Sequence, residues 1–171
     1  MSKNIVLVGL SGTGKTTVGK ILKIKLQNFS LIDTDAIIVE EENRSINNIF
    51  AESGEDFFRN LETKAAQKAS QQQNAIVSTG GGIVLREKNI DLLKQNGIIF
   101  YLKTSPEILA KRLKYDSSRP LLKTDDIKSK LENMLKVRGS LYEKADVIIN
   151  TDDLSPEETA NEIVRIYNER S

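Results

Sequence analysis

Ile5-Val6-Leu7-Val8-Gly9-Leu10-Ser11-Gly12-Thr13-Gly14-Lys15-Thr16-Thr17 joins a short apolar run to a glycine loop that fits G-x-x-x-x-G-K-[ST] at every fixed position. The four apolar residues read as a buried strand. Glycines let the loop after it bend so that successive backbone N–H groups point inward at phosphate oxygens. Thr17 to Leu26 follows with apolar residues at 18, 21, 22 and 26, the spacing of one helix face, so a helix presents its positive end to the same anion. Lys15 is then expected on the β and γ phosphates and Thr16 on a magnesium ion that bridges them, with Gly12, Thr13, Gly14 and Thr17 completing the cradle. The strand, loop and helix together point to nucleoside triphosphate chemistry.

Working outward, further apolar runs bounded by turn residues lie at Leu31-Ile32, Ala75 to Val77, Gly97 to Leu102 and Val147 to Ile149. Amphipathic stretches lie between them at 55–70, 87–95, 106–115, 127–145 and 156–168. Strand alternating with helix predicts a parallel sheet with helices on both faces, an α/β fold. Ser105-Pro106 and Ser155-Pro156 each read as a capping serine before a proline at the first helical position. With 171 residues and 39% hydrophobic content, the chain fits a single domain, 1–171.

Composition removes whole classes of chemistry. There is no cysteine and no histidine, which excludes disulfides, thiolate nucleophiles, zinc sites and imidazole bases, and leaves proton transfer to carboxylates, lysine, tyrosine or water. Lys plus Arg number 25 against 24 acidic residues, so no overall basic field draws in nucleic acid. The N-terminal apolar run is too short for a signal sequence or a membrane span, and a cytoplasmic protein with no membrane partner is expected. The absence of a long unused apolar helix face suggests a monomer.

Other segments bear on the acceptor. Guanine-nucleotide switches need DxxG and Asn-Lys-x-Asp segments, and neither occurs. Asp33-Thr34-Asp35 ends the second strand with carboxylates two residues apart, which on an extended chain share a face at the sheet's carboxyl edge. Asp33 then suits magnesium through water and Asp35 an acceptor hydroxyl. An aspartate helix cap with a solvated neighbour fits the same spacing. Gly80-Gly81-Gly82 follows the third strand and allows backbone to approach a ligand closely, as well as an ordinary flexible turn. Arg59 and Arg138 are two separated guanidinium forks suited to a carboxylate, although Arg59 with Glu55 or Glu62 is also a common helix surface pair. The polar stretch 116–124 between two helices fits a lid over a nucleotide or a plain surface connection.

Taken in order, these features resemble the shikimate kinase family nearly end to end. They are the phosphate loop, Asp33-Thr34-Asp35, Ile46-Asn47-Asn48-Ile49-Phe50 with Gly54-Glu55-Asp56-Phe57-Phe58-Arg59-Asn60-Leu61-Glu62, the triple glycine, Arg119-Pro120-Leu121-Leu122, and Arg138 with Leu141-Tyr142. The resemblance implies a three-layer α/β/α P-loop NTPase fold of the nucleoside monophosphate kinase type, with a central five-stranded parallel sheet, an acceptor-binding region over about 34–62 and a lid over about 113–124. It implies transfer of the γ phosphoryl group from ATP, with Mg2+, to the 3-hydroxyl of shikimate, a step toward chorismate and aromatic amino acids. By position it gives Asp35, Arg59, Gly80, Gly81, Gly82 and Arg138 to shikimate, Glu62 to orienting Arg59, Arg112 to the adenine, Arg119 to folding over ATP and Asp33 to the metal through water. Lys15, Asp35 and Arg119 are the implied catalytic residues. Ser11 and Thr16-Thr17 depart from the family's common residues but keep the backbone cradle and the metal hydroxyl. Another small-molecule kinase on this scaffold, or a regulator that only binds ATP, are the competing readings; an acceptor site with two arginines speaks against the second.

Overall fold

The structure is a computed structural model, and residues 3–114 and 127–170 are described. Five strands, β1 (Asn4–Val8), β2 (Ser30–Asp33), β3 (Ala75–Ser78), β4 (Gly97–Lys103) and β5 (Val147–Asn150), form one sheet in the order β2-β3-β1-β4-β5. Every pairing is parallel; Val6, for example, lies opposite Val77 on one side and Ile99 on the other. Parallel pairing requires crossovers, and among the described residues seven α-helices interleave with the strands: α1 (Lys15–Lys25), α2 (Thr34–Glu42), α3 (Ile46–Ser70), α4 (Glu87–Gln95), α5 (Pro106–Lys114), α6 (Ile127–Tyr142) and α7 (Pro156–Arg170).

Strand alternation divides the core in two. Ile5 and Leu7 of β1 join Val18 and Leu22 of α1 and Ala160, Ile163 and Tyr167 of α7 on one face. Val6 and Val8 turn to the other, against Ala66 and Ala69 of α3, Ile90 and Leu93 of α4, Leu109 and Leu113 of α5, and Leu131 and Tyr142 of α6. These side chains are at most 5% exposed, and full burial of each valine, leucine or isoleucine stabilises the fold by about 1.5–3 kcal/mol before chain entropy is counted. A third, smaller cluster of Ile38, Ile49, Phe58, Leu61 and Ala65 packs α2 against α3 away from the sheet.

The expected strands all form, and the helices at 87–95 and 106–115 are recovered to within a residue. The two serine–proline signals act as read. Ser155 Oγ accepts from Glu158 N at 3.1 Å while Glu158 Oε2 accepts from Ser155 N at 2.8 Å, a reciprocal cap. Two elements differ from expectation. Helix α3 begins nine residues before Glu55, at Ile46, where Ser45 Oγ accepts from Asn48 N, and its backbone breaks at Gly54 (φ 81°, ψ 175°), so Glu55 opens its second segment. Helix α2 starts immediately after β2, where an extended chain was expected to carry Asp33 and Asp35 on one face. Asp33 Oδ1 accepts from Asp35 N at 2.9 Å and Ala36 N at 3.1 Å, so the chain turns helical at Thr34 and the two carboxylates do not lie on a common strand face.

Because all five strands run the same way, the segments after β1, β2 and β3 emerge at one sheet edge. Those segments are the phosphate loop, Asp33–Asp35 and the triple glycine.

Candidate active site

The loop between β1 and α1 is held by its own backbone. Gly14 caps α1 at φ 93°, a left-handed conformation that favours glycine, and leaves the first amides of α1 unpaired within the helix. Lys15 is 8% exposed, and its ammonium donates to the carbonyls of Gly9 at 2.7 Å and Leu10 at 2.8 Å, which fixes it inside the loop. Thr13 is buried with Oγ1 donating to Leu10 O at 2.9 Å. Thr16 and Thr17, in the first turn of α1, are exposed. Leu109 and Leu113 of α5 pack against Gly12, where a methyl would lie 3.1 Å from Leu113. Arg112, exposed on the same helix, is therefore carried beside the loop.

Gly80, Gly81 and Gly82 form the centre of the site. A Cβ on Gly80 would lie 2.5 Å from Asp35 Oδ1, one on Gly81 would lie 3.3 Å from Ser11 N in the phosphate loop, and one on Gly82 would overlap the Arg59 guanidinium. Three candidate segments thus meet on one side-chain-free strip. Thr34, fully buried, fixes the strip from α2, with Gly80 N donating to its Oγ1 at 3.0 Å.

Arg59 faces two carboxylates. Its Nη1 donates to Glu62 Oε2 at 2.6 Å, and its Nη2 and Nε reach Glu55 Oε1 at 3.0 and 3.3 Å. Phe58 and Phe50 lie against the guanidinium, 5.5 and 6.0 Å from ring centroid to Cζ, which adds cation–π attraction. The surface-pair alternative describes Glu55, 63% exposed, but not Glu62, 2% exposed. Burial pushes the Glu62 carboxyl up; its bond to Arg59 pulls it back, Asp35 raises it further and Arg138 lowers it, for a net upward shift. Burial opposes the Arg59 charge too, but two carboxylates outweigh it and its pKa rises. Both pKa values rise, with opposite consequences for charge: the Arg59 cation, with two anionic partners, is favoured, and the buried Glu62 anion, with one close cation, is disfavoured. That Glu62 feels Asp35, Arg59 and Arg138 together brings all four groups into one electrostatic neighbourhood.

Arg138, half-buried on α6, lies one turn before Tyr142, whose hydroxyl donates to Gly81 O. Arg119 and most of the expected lid at about 113–124 lie outside the described residues. Among the described residues no group of three or more His, Cys, Asp or Glu is arranged as a metal cage. The oxygen donors beside the loop, the Thr16 hydroxyl and the Asp33 carboxylate, suit a hard cation that keeps its waters and shares phosphate oxygens, which is the chemistry of Mg2+. Capping uses Asp33 Oδ1, so Oδ2 is the oxygen that would accept from a metal-bound water.

Sequence reasoning missed Thr34, the Phe50–Phe58 wall and the contact of α5 with Gly12. Thr34 was visible only as a residue between two aspartates, and the other contacts are tertiary. No helix among the described residues is long and apolar enough to cross a membrane.

Comparison with known proteins places the chain by family. A family model described as shikimate kinase matches residues 11–168. A shikimate kinase of Caldicellulosiruptor saccharolyticus is 45% identical over 165 residues, covering 96% of this chain and 95% of that protein. One of Clostridium botulinum is 46% identical over 168 residues, covering 96% of each. The solved structure of shikimate kinase from Acinetobacter baumannii in complex with shikimate matches with a TM-score of 0.90 at 34% identity, over 100% of this chain and 96% of that one. Matched nearly end to end in sequence and in backbone, the chain belongs to the shikimate kinase family.

Proposed function

We propose that this site transfers the γ phosphoryl group of ATP to the 3-hydroxyl of shikimate, giving shikimate 3-phosphate and ADP. The observation that carries the assignment of residues is the convergence of Asp35, the phosphate loop and Arg59 on Gly80–Gly82, since it joins a donor cradle to a carboxylate-binding cluster across backbone alone.

The loop amides and Lys15 hold the β and γ phosphates, with the α1 N-terminus behind them. Thr16 and, through water, Asp33 would hold a magnesium ion, which supplies neutralisation of charge on the β and γ oxygens. Arg59 and Arg138 take the acceptor carboxylate as forks, with Glu62 fixing the roll of Arg59. Gly80, Gly81 and Gly82 let the ring lie against backbone. Asp35 orients the hydroxyl and receives its proton as the new O–P bond forms; a loose transition state asks for little deprotonation before that point. Arg112 flanks the adenine, and Arg119 closes over the phosphates to stabilise charge on the transferred oxygens. Closure only with both substrates bound keeps water from taking the phosphoryl group, so ATP hydrolysis without acceptor is slow. The enzyme is proposed to work as a cytoplasmic monomer.

The test is an ADP-release assay with ATP and magnesium, run in parallel with shikimate, gluconate, AMP and no acceptor. Turnover with shikimate alone is the expected result. Equal turnover with AMP or gluconate, or hydrolysis that needs no acceptor, would overturn the assignment.

A further inference from the structure

Leu141-Tyr142 accompanies Arg138 in the sequence motif, and the chemistry above gives the tyrosine no part. Tyr142 is 0% exposed and is among the largest fully buried side chains. Its ring stacks on Tyr101 of β4 with centroids 5.0 Å apart and planes 17° from parallel. Its hydroxyl donates to the Gly81 carbonyl, and Arg138, one helical turn earlier, is near enough for its charge to act on the same phenol. Gly81 is in turn the glycine that packs on the phosphate loop.

The hydroxyl is not there for packing. A phenylalanine would fill the same volume and keep the stack, and burying a phenol in place of a phenyl ring is unfavourable unless its oxygen is hydrogen-bonded. What the oxygen adds is a fixed link between a helix and a loop. Burial holds the phenol neutral, its pKa pushed up to about 12 against the opposing pull of Arg138, so it remains a donor across the working pH range.

We propose that Tyr142 is a positioning residue: its hydroxyl ties the Arg138 turn of α6 to the Gly81 carbonyl, and the stack on Tyr101 ties both to the sheet, so the carboxylate-binding arginine sits at a set distance from the phosphate loop. This rests on Arg138 taking the shikimate carboxylate. Without the hydroxyl, Arg138 keeps its charge but loses its register to the loop, which weakens acceptor binding and leaves the nucleotide cradle intact.

Tyr142→Phe tests this with Tyr167→Phe as control. Tyr167 is also a buried phenol whose hydroxyl donates to a backbone carbonyl, Lys3 O at 2.6 Å, but it belongs to the core on the opposite sheet face. In the ADP-release assay Tyr142→Phe is expected to raise the shikimate KM about ten-fold, the worth of one well-made buried hydrogen bond. The ATP KM should stay within two-fold of wild type, and Tyr167→Phe should leave both KM values unchanged. In a double-mutant cycle with Arg138→Lys the effects on shikimate KM should be less than additive, because the tyrosine acts through the arginine. A shikimate KM unchanged in Tyr142→Phe, while wild type turns over shikimate, overturns the proposal; absence of shikimate turnover in wild type overturns the functional assignment instead. The chain has four tyrosines and no tryptophan, so tyrosine emission is unmasked in the wild-type protein. Saturating shikimate should alter that emission in wild type and in Tyr167→Phe. An unaltered wild-type spectrum also overturns the proposal, whether or not Tyr142→Phe folds.

Discussion

Glu62→Gln should separate binding from stability. The Glu62 carboxylate is almost wholly buried, with a 2.6 Å bond to Arg59 Nη1, so the substitution replaces a charge-assisted bond with a neutral one in nearly the same volume. Hydrogen bonds to charged groups contribute about 1.5–3 kcal/mol, which at about 1.4 kcal/mol per decade predicts a ten- to hundred-fold rise in shikimate KM as Arg59 loses its set roll. Stability should move far less. The upward shift of the Glu62 pKa means its charged form is held less well in the fold than in water. A group of that kind contributes stability below its unfolded pKa and loses it as pH rises through the folded pKa. A neutral isostere avoids this loss, and Arg59 keeps Glu55, so the melting temperature should stay within about 4 °C of wild type, equivalent to about 1 kcal/mol. The same shift predicts a pH signature. As pH falls, Glu62 takes up its proton above the ordinary glutamate range, so the wild-type shikimate KM climbs on the acid side while Glu62 itself adds stability there. The Gln variant should lack that limb. Steady-state kinetics from pH 5 to 8 with thermal melts are the assay. A variant with wild-type KM, or one that melts more than about 8 °C lower with KM unmoved, would refute the reasoning and make Glu62 a packing residue only.

Asp35→Asn should lower kcat by about 10²–10⁴-fold with the ATP KM unchanged, in the range that positioned acid–base groups supply; unaltered turnover would remove Asp35 from the chemistry. Arg138→Lys should raise the shikimate KM about ten-fold or more, since an ammonium cannot reproduce a fork, and a KM near wild type would mean the carboxylate is held elsewhere. Gly82→Ala adds a methyl that overlaps the Arg59 guanidinium at a position whose φ of −91° any residue accepts. Its penalty should therefore appear in shikimate KM rather than in folding, and a wild-type KM would show that Arg59 has room to shift. Asp33→Asn keeps a capping oxygen for α2 but removes the charge, so the melting temperature should hold within about 2 °C while the magnesium concentration needed for half-maximal rate rises several-fold; unchanged magnesium dependence would leave Asp33 as a cap alone.

Much of this was legible because phosphate binding and sheet burial leave strong local marks. Ile5 to Val8 could be read as a fully buried strand from four apolar residues before a glycine, and the G-x-x-x-x-G-K-T loop fixes its own neighbours. Helix α2 was not legible. Thr34–Glu42 carries Ile37, Ile38 and Val39 together, β-branched residues in a run that lacks helical spacing, and only Thr34 and Ile38 are buried. Its start depends on the Asp33 cap, which competed with an extended reading of the same aspartates. The first segment of α3 was hidden by Gly54, which breaks the periodicity where the backbone breaks. The burial of Glu62 was equally invisible, since i,i+3 spacing to Arg59 describes a surface pair as well as a buried one, and only the tertiary packing around α3 decides between them.

The small cluster of Ile38, Ile49, Phe58, Leu61 and Ala65 has a thermodynamic consequence. Because α2 and much of α3 share a core separate from the two sheet cores, that segment can open as a cooperative unit while the sheet stays shut. Amide protons there exchange through a partial opening whose free energy lies below that of global unfolding. A ligand gripping Arg59 and Asp35 closes this opening route specifically, so occupancy of the acceptor site is written into the exchange rates of amides that never touch it.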